Sequence, residues 1–245
     1  MRPDASKKIA TVTPKSGPNP VIIGAVIALV VVLAVVVAIV IGNNSKSGSS
    51  SVAQTVPAGV VGGTGGGILV NATSKPNAPT LDVYADYQCP ICGKFEKQFG
   101  PSIVALAKAG QIKYVAHMMT FLDINLKNDS SARATNAAAC AADAGKFIEY
   151  HSAIFAAQPV QEGAGYTDAQ LTEFATTAGI TGPALTTWQK CTTSGQHNQY
   201  VADVETASGK AGVTGTPTVF LNGKDITKTL TTPESLAAAV KAATS

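Results

Sequence analysis

The feature that most limits how this chain can fold is an uninterrupted apolar run at residues 21–41, VIIGAVIALVVVLAVVVAIVI. The run contains no charged or strongly polar side chain, and as a helix it is long enough to cross the ~30 Å hydrocarbon core of a bilayer. A cleavable signal peptide has a shorter apolar core followed by a small-residue cleavage site, and GNNSKSGSS after this run lacks that pattern. We therefore expect residues 21–41 to form an uncleaved transmembrane helix.

The charges around the apolar run predict its orientation. Basic residues precede it at Arg2, Lys7, Lys8 and Lys15, whereas Lys46 follows closely behind it. Because positively charged flanks stay in the cytoplasm, residues 1–20 are expected to be a cytoplasmic N-terminus, and the chain after the run is expected to lie outside. The sequence thus predicts a single-pass cell-membrane protein that contacts the lipid bilayer through residues 21–41 and carries an extracytoplasmic C-terminal domain.

Residues 42–67 are dominated by Gly, Ser, Asn and Val and end in GGTGGG. This composition cannot bury enough apolar surface to fold alone, so we interpret the segment as a flexible linker. Its glycines do not have the spacing G-x-G-x-x-G, and no strand leads into them, which argues against a dinucleotide site. The net charge of +3 for 245 residues is small, and no basic face interleaved with aromatic residues is present, so no nucleic-acid partner is expected.

Residues 68–245 alternate strand and helix signals. TLDVYA at residues 80–85 is rich in β-formers, residues 94–110 have helical spacing and end in glycine, and IKYVAHMM at residues 112–119 is again strand-like. This order predicts a β-α-β unit. Strand signals then stop, and the region at about residues 126–212 is predicted to be a helical insertion.

Within the insertion, the alanines and later apolar residues of residues 130–157 fit one helix face. A strand returns at TPTVFLNGK, residues 216–224, where Asn222 and Gly223 indicate a hairpin turn before a short partner strand. TPESLAAAVKAA at residues 232–243 predicts a capped final helix. The predicted fold class is therefore α/β, with a β-α-β unit, a helical insertion and a closing β-β-α unit.

The chain has four cysteines, which allow three pairings. In an extracytoplasmic domain they should be mostly oxidised. The close spacing favours a bond between Cys89 and Cys92, which leaves Cys140 and Cys191 for a structural disulfide that would staple two helices of the insertion. A zinc site needs four suitably spaced ligands, and neither the cysteines nor the three histidines have that spacing, so no metal is expected.

The motif CPIC follows a strong strand signal and lies at the predicted start of a helix. There, unpaired backbone N–H groups and the positive end of the helix dipole favour a thiolate at Cys89, which we predict to be the nucleophile. Pro90 suits the first helical turn because it has no N–H, and Cys92, one turn further on, can attack the mixed disulfide and release the partner. An inert disulfide is the alternative interpretation, but the place of the motif in a β-α-β unit favours a redox centre.

Three ordered segments resemble the DsbA-like thiol–disulfide oxidoreductases, a thioredoxin-fold family, and in particular their membrane-anchored actinobacterial type. DYQCPIC resembles the active-site stretch, AGKFIEYHSAIF the insertion helix, and GVTGTPTVFLNGK the segment with a cis-proline and the final hairpin. The resemblance extends from about Thr80 to the C-terminus. It implies a thioredoxin-like fold in which Pro217 is the cis-proline and Thr216 precedes it, and in which both line a substrate groove beside Cys89.

The sequence departs from the family pattern at two places. Ile91 stands between the active-site cysteines, where the best-known members have a histidine that stabilises the thiolate, and this leaves the oxidising strength open. Val83 stands where such proteins often have a buried acid, so Asp86 and Asp82 become the candidates for handling protons. Asp86, close to the motif, is equally consistent with a turn or cap residue.

The sequence therefore predicts a membrane-tethered dithiol oxidase that needs no cofactor and inserts disulfides into unfolded exported proteins through a mixed disulfide at Cys89. The resemblance implies reoxidation by a membrane protein that is DsbB-like or related to vitamin K epoxide reductase. A disulfide reductase or isomerase is the alternative enzyme, because CPIC does not fix the reduction potential. A module that binds copper or holds a peptide, and whose cysteines do not turn over, is a further alternative. His117, Met118 and Met119 end the second strand near the predicted active-site face and could form a copper site with the cysteines, although core packing explains these residues more simply.

Overall fold

The computed structural model describes residues 54–70 and 74–244. The predicted cytoplasmic N-terminus, the predicted transmembrane helix at residues 21–41 and the first part of the predicted linker lie outside these residues. Within the described ranges, none of the helices is both long enough and apolar enough to cross a membrane. The elements below therefore belong to the domain that the sequence predicts after the linker.

The order of the elements agrees with the predicted order, with one additional strand at the start. The strands of the described residues are β1 (Ile68–Leu69), β2 (Thr80–Ala85), β3 (Lys113–Met118), β4 (Thr218–Leu221) and β5 (Lys224–Asp225). The α-helices are α1 (Pro90–Lys108), α2 (Phe121–Leu126), α3 (Ser130–Asp143), α4 (Phe147–Ala156), α5 (Asp168–Thr177), α6 (Gly182–Ser194), α7 (Asn198–Lys210) and α8 (Pro233–Ala243). A short 3-10 helix (Thr227–Thr229) precedes α8.

The strands form one mixed sheet in the order β1-β3-β2-β4-β5. β2 and β3 are parallel, with Thr80 opposite Lys113 and Ala85 opposite Met118, and the other neighbouring pairs are antiparallel. α1 is the crossover of the β2-α1-β3 unit, since two parallel strands need a long connection. The edge strand β1 has only two residues, which is too short for any periodic pattern to predict it.

The start of α1 is fixed by the packing of its body against the sheet. The buried residues Phe99, Ile103 and Ala107 recur every four positions, which places them on one face of the helix. α8 lies against α1 and buries Leu236 and Val240. Because Ile103 is 1% exposed, its truncation to alanine would cost about 2–5 kcal/mol of stability. This packing holds the first turn of α1 beside the carboxyl end of β2, where α/β folds form their sites.

The helical insertion consists of α2 to α7 and ends with α7 at Lys210, close to the predicted limit. α3 lies at its centre and contacts α2, α4, α5, α6 and α7. Residues 134–142 of α3 are small and all buried, so this part of the helix has no side that faces solvent. Small side chains allow the neighbouring helices to approach α3 from several directions.

The stretch at residues 130–157, which fits one helix face in the sequence, is divided into α3 and α4. The break occurs at Gly145, whose φ of 66° is a left-handed conformation that glycine adopts at low cost and that often ends a helix. The N–H of Gly145 donates to Ala142 O (2.9 Å), and the N–H of Lys146 donates to Ala141 O (2.8 Å). These bonds close the end of α3 and turn the chain into α4.

Residues 54–67, which composition assigned to the flexible linker, are docked on the domain. Hydrogen bonds tie the segment to the insertion: Thr55 N to Gln196 O (3.2 Å), Ala58 N to Asp143 Oδ1 (2.8 Å) and Tyr200 Oη to Gly66 O (3.1 Å). Val60 also forms an isolated β-bridge with Ile68. The predicted linker boundary at residue 67 is therefore corrected, because the described part of that linker belongs to the folded domain.

Glycine allows this segment to approach the domain closely. A Cβ at Gly65 would lie 2.5 Å from Asp203 O, and a Cβ at Gly67 would lie 2.6 Å from a methyl carbon of Val115. The composition of a segment indicates how much apolar side-chain surface it can bury. Residues 54–67 are instead held by hydrogen bonds of their backbone groups. The partners lie on α7 and β3, far along the chain, so the local sequence could not indicate the contact.

Candidate active site

The predicted redox motif lies at the junction of the sheet and α1. Cys89 is the N-cap residue of α1, with an extended backbone (φ −75°, ψ 115°), and Pro90 is the first helical residue. Both active-site cysteines are free thiols in this structure. Cys92 is 1% exposed and Cys89 is 7% exposed, so Cys89 is the more accessible of the two, although it is less exposed than its helix-start position suggested. Ile91, between them, is 61% exposed.

The two thiols have opposite electrostatic environments. A hydrogen bond with Cys92, together with the Thr216 side chain and the backbone N–H groups of Cys92 and Ile91, lowers the pKa of Cys89 to about 6, although burial acts in the other direction. Burial raises the pKa of Cys92, and its hydrogen bond with Cys89 raises it further. At neutral pH, Cys89 is therefore a thiolate and Cys92 is a neutral thiol. A nucleophile and a resolving thiol need these two states.

Thr216 and Pro217 lie beside Cys89, as the resemblance implied. The peptide bond between them is cis. The carbonyl oxygen of Thr216 lies 3.6 Å from Cys89 Sγ. The Thr216 hydroxyl is buried and has no hydrogen-bond partner in this structure, and the Cys89 thiolate is an acceptor that it can serve.

Asp86 is completely buried just before the motif and organises the turn that leads into α1. Its Oδ1 accepts from the N–H of Gln88 (2.8 Å) and from Ser131 Oγ (2.6 Å), and its carbonyl accepts from the N–H of Cys89 (3.0 Å). Burial raises the pKa of Asp86 to about 7, although these hydrogen bonds oppose the shift. These contacts are those of a turn residue, and a role of Asp86 in handling protons stays a prediction.

The other candidate acid, Asp82, lies on β2 and is paired with a histidine. His117 Nε2 lies 2.9 Å from Asp82 Oδ1, and the His117 ring stacks on Tyr84 with a centroid distance of 4.2 Å. Met118 and Met119 are buried. The copper hypothesis placed His117 with the active-site cysteines, whereas the structure pairs it with Asp82.

A set of contacts that the sequence did not indicate joins the insertion to the active-site loop, which is residues 86–89 between β2 and α1. Gln158, in the loop after α4, donates from Nε2 to Tyr87 O (2.8 Å) and to Cys89 O (3.0 Å). Tyr166 Oη also donates to Tyr87 O (3.0 Å), and the Tyr87 hydroxyl is paired with His151 Nδ1 (3.1 Å). Gln158 lies 69 positions after Cys89, so no local spacing pattern connects the two.

Gln88 ties the same loop to the start of the insertion. Its Nε2 lies 2.8 Å from Asp123 Oδ1, 2.9 Å from Asn128 Oδ1 and 2.8 Å from Ser131 Oγ. Asn128 Nδ2 in turn donates to Gln88 Oε1 (3.0 Å). The active-site loop is therefore held by side chains of the insertion, which limits the orientations available to Cys89.

Cys140 and Cys191 form the predicted second disulfide, which joins α3 to α6. Both residues are buried. Trp188, one turn before Cys191, donates from Nε1 to Ala137 O (3.0 Å) and so ties the same two helices together. Among the described residues, the His, Cys and acidic side chains close enough together to hold a metal ion are Cys140, Cys191 and His197, and here the two sulfurs are bonded to each other.

Comparison with protein families assigns the domain to a known family. The family model described as Thioredoxin matches residues 73–242, which is more than half of the chain. The matched range begins after β1 and ends within α8, so it includes strands β2 to β5, the C-x-x-C motif, the insertion and the cis-proline.

Solved structures with the same fold include two mycobacterial redox proteins. The reduced form of the disulfide bond oxidoreductase DsbG from Mycobacterium tuberculosis is 30% identical, with a TM-score of 0.61 over 74% of this chain and 88% of that chain. Reduced DsbA from the same organism is 29% identical, with a TM-score of 0.60 over 72% of this chain and 91% of that chain. MdbA, a thiol-disulfide oxidoreductase from Actinomyces oris, shares the fold at 24% identity and a TM-score of 0.61, over 70% of this chain and 83% of that chain.

Among curated proteins, the serine/threonine-protein kinase PknE of Mycobacterium tuberculosis is 30% identical over 152 residues, which is 59% of this chain and 25% of that protein. The chain thus spans about a quarter of the length of the curated relatives it matches, and the kinase name describes the longer protein as a whole. The family model, the identity to DsbG over most of both chains and the pair of thiols at the start of α1 together show that this chain belongs to the thioredoxin family, as a DsbA-like thiol–disulfide oxidoreductase.

Proposed function

We propose that the chain is a membrane-tethered oxidase that inserts disulfide bonds into unfolded exported proteins. The observation that carries the proposal is the difference between its two thiols, since the pKa of Cys89 is lowered to about 6 and that of Cys92 is raised. A thiol of low pKa is a good leaving group, so a disulfide that contains Cys89 is readily exchanged. A stable thiolate in the reduced form also makes the corresponding disulfide more oxidising.

The proposed cycle starts from the Cys89–Cys92 disulfide. A substrate thiolate attacks Cys89 Sγ, and Cys92 leaves with the electron pair and takes up a proton, which its raised pKa favours. A second substrate thiolate then attacks the substrate sulfur of the mixed disulfide and expels Cys89 as the thiolate. The substrate loses two electrons and gains a disulfide, while the enzyme becomes a dithiol. A membrane reoxidase accepts the two electrons, and the family resemblance supports a DsbB-like protein or a relative of vitamin K epoxide reductase.

Thr216 and Pro217 are the proposed floor of the substrate groove. Because Thr216 O lies 3.6 Å from Cys89 Sγ, a polypeptide bonded to Cys89 must pass this backbone, where an extended segment can form main-chain hydrogen bonds. Ile91, between the two cysteines in the first turn of α1, offers an exposed apolar contact. Recognition through backbone and apolar contacts suits an enzyme that acts on many unfolded chains.

The proposed location is the cell membrane, with the catalytic domain on the extracytoplasmic side. It is supported by the apolar run at residues 21–41 and by the basic residues that precede it. The Cys140–Cys191 disulfide is consistent with an oxidising compartment. The lipid bilayer is thus a proposed partner of the full chain.

The reduction potential of the full chain in detergent tests the direction of electron flow. After equilibration with glutathione buffers, an oxidase is expected to lie between about −180 and −120 mV, whereas a value near about −270 mV would indicate a reductase. The reductase is the second candidate because Ile91 adds no positive charge beside the Cys89 thiolate. Cys89→Ser must abolish oxidation of a two-cysteine peptide, and a variant that still oxidises it would overturn the assignment of this site.

A further inference from the structure

The loop between α4 and α5 places one amide group against the active-site loop. Gln158 is the second residue after α4 and is half-buried. Its Nε2 donates to Tyr87 O (2.8 Å) and to Cys89 O (3.0 Å). Both partners are carbonyl oxygens and can only accept, so the nitrogen of the amide must face them, and its two hydrogens can serve both.

The geometry on the other side of the amide agrees with this orientation. A Cβ added at Gly93 would lie 2.0 Å from Gln158 Oε1, so the amide oxygen is fitted against α1 where that helix has no side chain. Gly93 is also the residue whose N–H donates to Cys89 O, at 3.2 Å. The Cys89 carbonyl therefore receives two donors, one from its own helix and one from the insertion.

Holding this carbonyl constrains the nucleophile itself. Cys89 is the N-cap residue, and its ψ of 115° sets the direction of its carbonyl relative to the first turn of α1. The same backbone rotation determines how Cys89 Sγ faces the N–H groups of Ile91 and Cys92, which favour the thiolate. In addition, the N–H donor offsets part of the negative charge on the Cys89 carbonyl, which belongs to the same residue as the anionic sulfur.

We infer that Gln158 is a positioning residue that couples the helical insertion to the reactivity of Cys89 by fixing the carbonyls of Tyr87 and Cys89. The inference rests on the thiol–disulfide chemistry of Cys89 but not on the direction of electron flow. Gln158 contacts neither the substrate sulfur nor the Cys89 sulfur in this scheme, so its effect must appear as a change in the Cys89 thiolate.

The test compares three variants of the full chain in detergent, each titrated in the reduced state by thiolate absorbance near 240 nm. Gln158→Met keeps the side-chain length and removes the donor, so the apparent pKa of Cys89 should rise by about 0.5 or more, a roughly threefold loss of thiolate at pH values well below the pKa. Gln158→Glu places a carboxylate near the sulfur and should raise the pKa further. The rate of alkylation by iodoacetamide at pH 6 should fall in the same order.

Gln98→Met is the matched control. Gln98 lies on α1, the helix that begins at the active-site motif, and it also donates to a backbone carbonyl, Thr231 O at 2.7 Å, but on the side that faces the segment before α8. It should alter the melting temperature as much as Gln158→Met does while leaving the Cys89 titration unchanged. Equal titration curves for Gln158→Met and the wild type, or an equal shift in Gln98→Met, would overturn the inference.

The titration also separates this inference from the proposed function. If the wild type fails to oxidise peptides but the Gln158 variants shift the Cys89 titration, the positioning role stands and the oxidase assignment falls. If the wild type oxidises peptides and the Gln158 variants titrate as the wild type does, the oxidase stands and the positioning role falls.

Discussion

Cys89 and Cys92 are joined by a hydrogen bond, yet only one of them holds a negative charge at neutral pH. The pKa of Cys89 is lowered to about 6 and that of Cys92 is raised, so the sulfur that a substrate meets is also the better leaving group. Cys92, at 1% exposure, can reach a partner only after Cys89 has brought it to the site.

The first prediction follows from this division. Cys92→Ala leaves a reactive Cys89 without an internal partner, so mixed disulfides with exported proteins should accumulate, visible on non-reducing gels and removed by dithiothreitol. Cys89→Ala should trap several-fold less, because the remaining thiol is protonated and buried. If the two variants trap proteins equally, the assigned roles of nucleophile and resolving thiol are wrong.

The second prediction concerns Asp86. Burial raises its pKa to about 7 in the folded state, whereas the ordinary pKa of an aspartate side chain is 3.8. A raised acid pKa means that its contribution to stability is complete below pH 3.8 and is lost as the pH rises through 7. Asp86→Asn should therefore flatten the fall in melting temperature between about pH 4 and pH 7, measured with the active site reduced. Asp129→Asn, at an exposed carboxyl, should leave the slope unchanged.

The elements of the insertion are held together by a bond that does not belong to the catalytic motif. The Cys140–Cys191 disulfide closes a loop with a sequence separation of 51 residues, for which chain entropy gives about 4 kcal/mol. Replacing both cysteines by alanine should lower the melting temperature by about 5–15 °C. Peptide oxidation well below that temperature should stay within about twofold of the wild type. An equal loss of activity and stability would instead make this pair an electron relay.

A buried histidine of the insertion, His197, holds residues 54–58, which we call the strap. His197 is completely buried, with Nδ1 2.8 Å from Thr55 O and Nε2 2.9 Å from Asp143 Oδ2. Both partners are acceptors, so a ring with a proton on each nitrogen serves both of them. Burial alone would lower the pKa of His197, but the hydrogen bonds to Asp143 and to the Thr55 carbonyl raise it above 6.5.

The fourth prediction is that the strap is released at alkaline pH. A raised histidine pKa gives stability that is complete below the unfolded pKa of 6.5 and is lost as the pH rises through the folded value. Hydrogen exchange of residues 54–58, corrected for its intrinsic pH dependence, should show less protection at pH 9 than at pH 6. His197→Gln should remove this difference, whereas His117→Gln, on the sheet, should keep it. Unchanged protection at pH 9 in the wild type would contradict the prediction.

At the scale of the whole molecule, the proposed anchor can be tested in the full chain. If residues 21–41 span the membrane, the protein should stay in the pellet after an alkaline carbonate wash. Val31→Arg combined with Val35→Arg should move most of it to the supernatant, because each charge at the bilayer centre costs roughly 2.5–3.5 kcal/mol. The same pair of arginines without effect would argue against a spanning helix.

The parts of the domain that the sequence predicted are those with a local cause. β2, β3 and α1 have regular apolar patterns, Thr232 begins α8 with a capping box, and Cys89 lies where a strand signal meets a helix signal. Contacts between distant residues could not be predicted in this way. The hydrogen bonds of Gln158 to the active-site loop and the docking of residues 54–67 depend on which surfaces the complete fold brings together.

The burial of α3 on all sides restricts how this domain can evolve. Most helices tolerate mutation on the side that faces water, but residues 134–142 offer no such side. An added methyl group at any of these positions must displace a neighbouring helix, at a cost of about 1–3 kcal/mol in stability. Temperature-sensitive alleles should therefore concentrate in this alanine-rich helix, far in sequence from the active-site cysteines Cys89 and Cys92, whose activity they would remove.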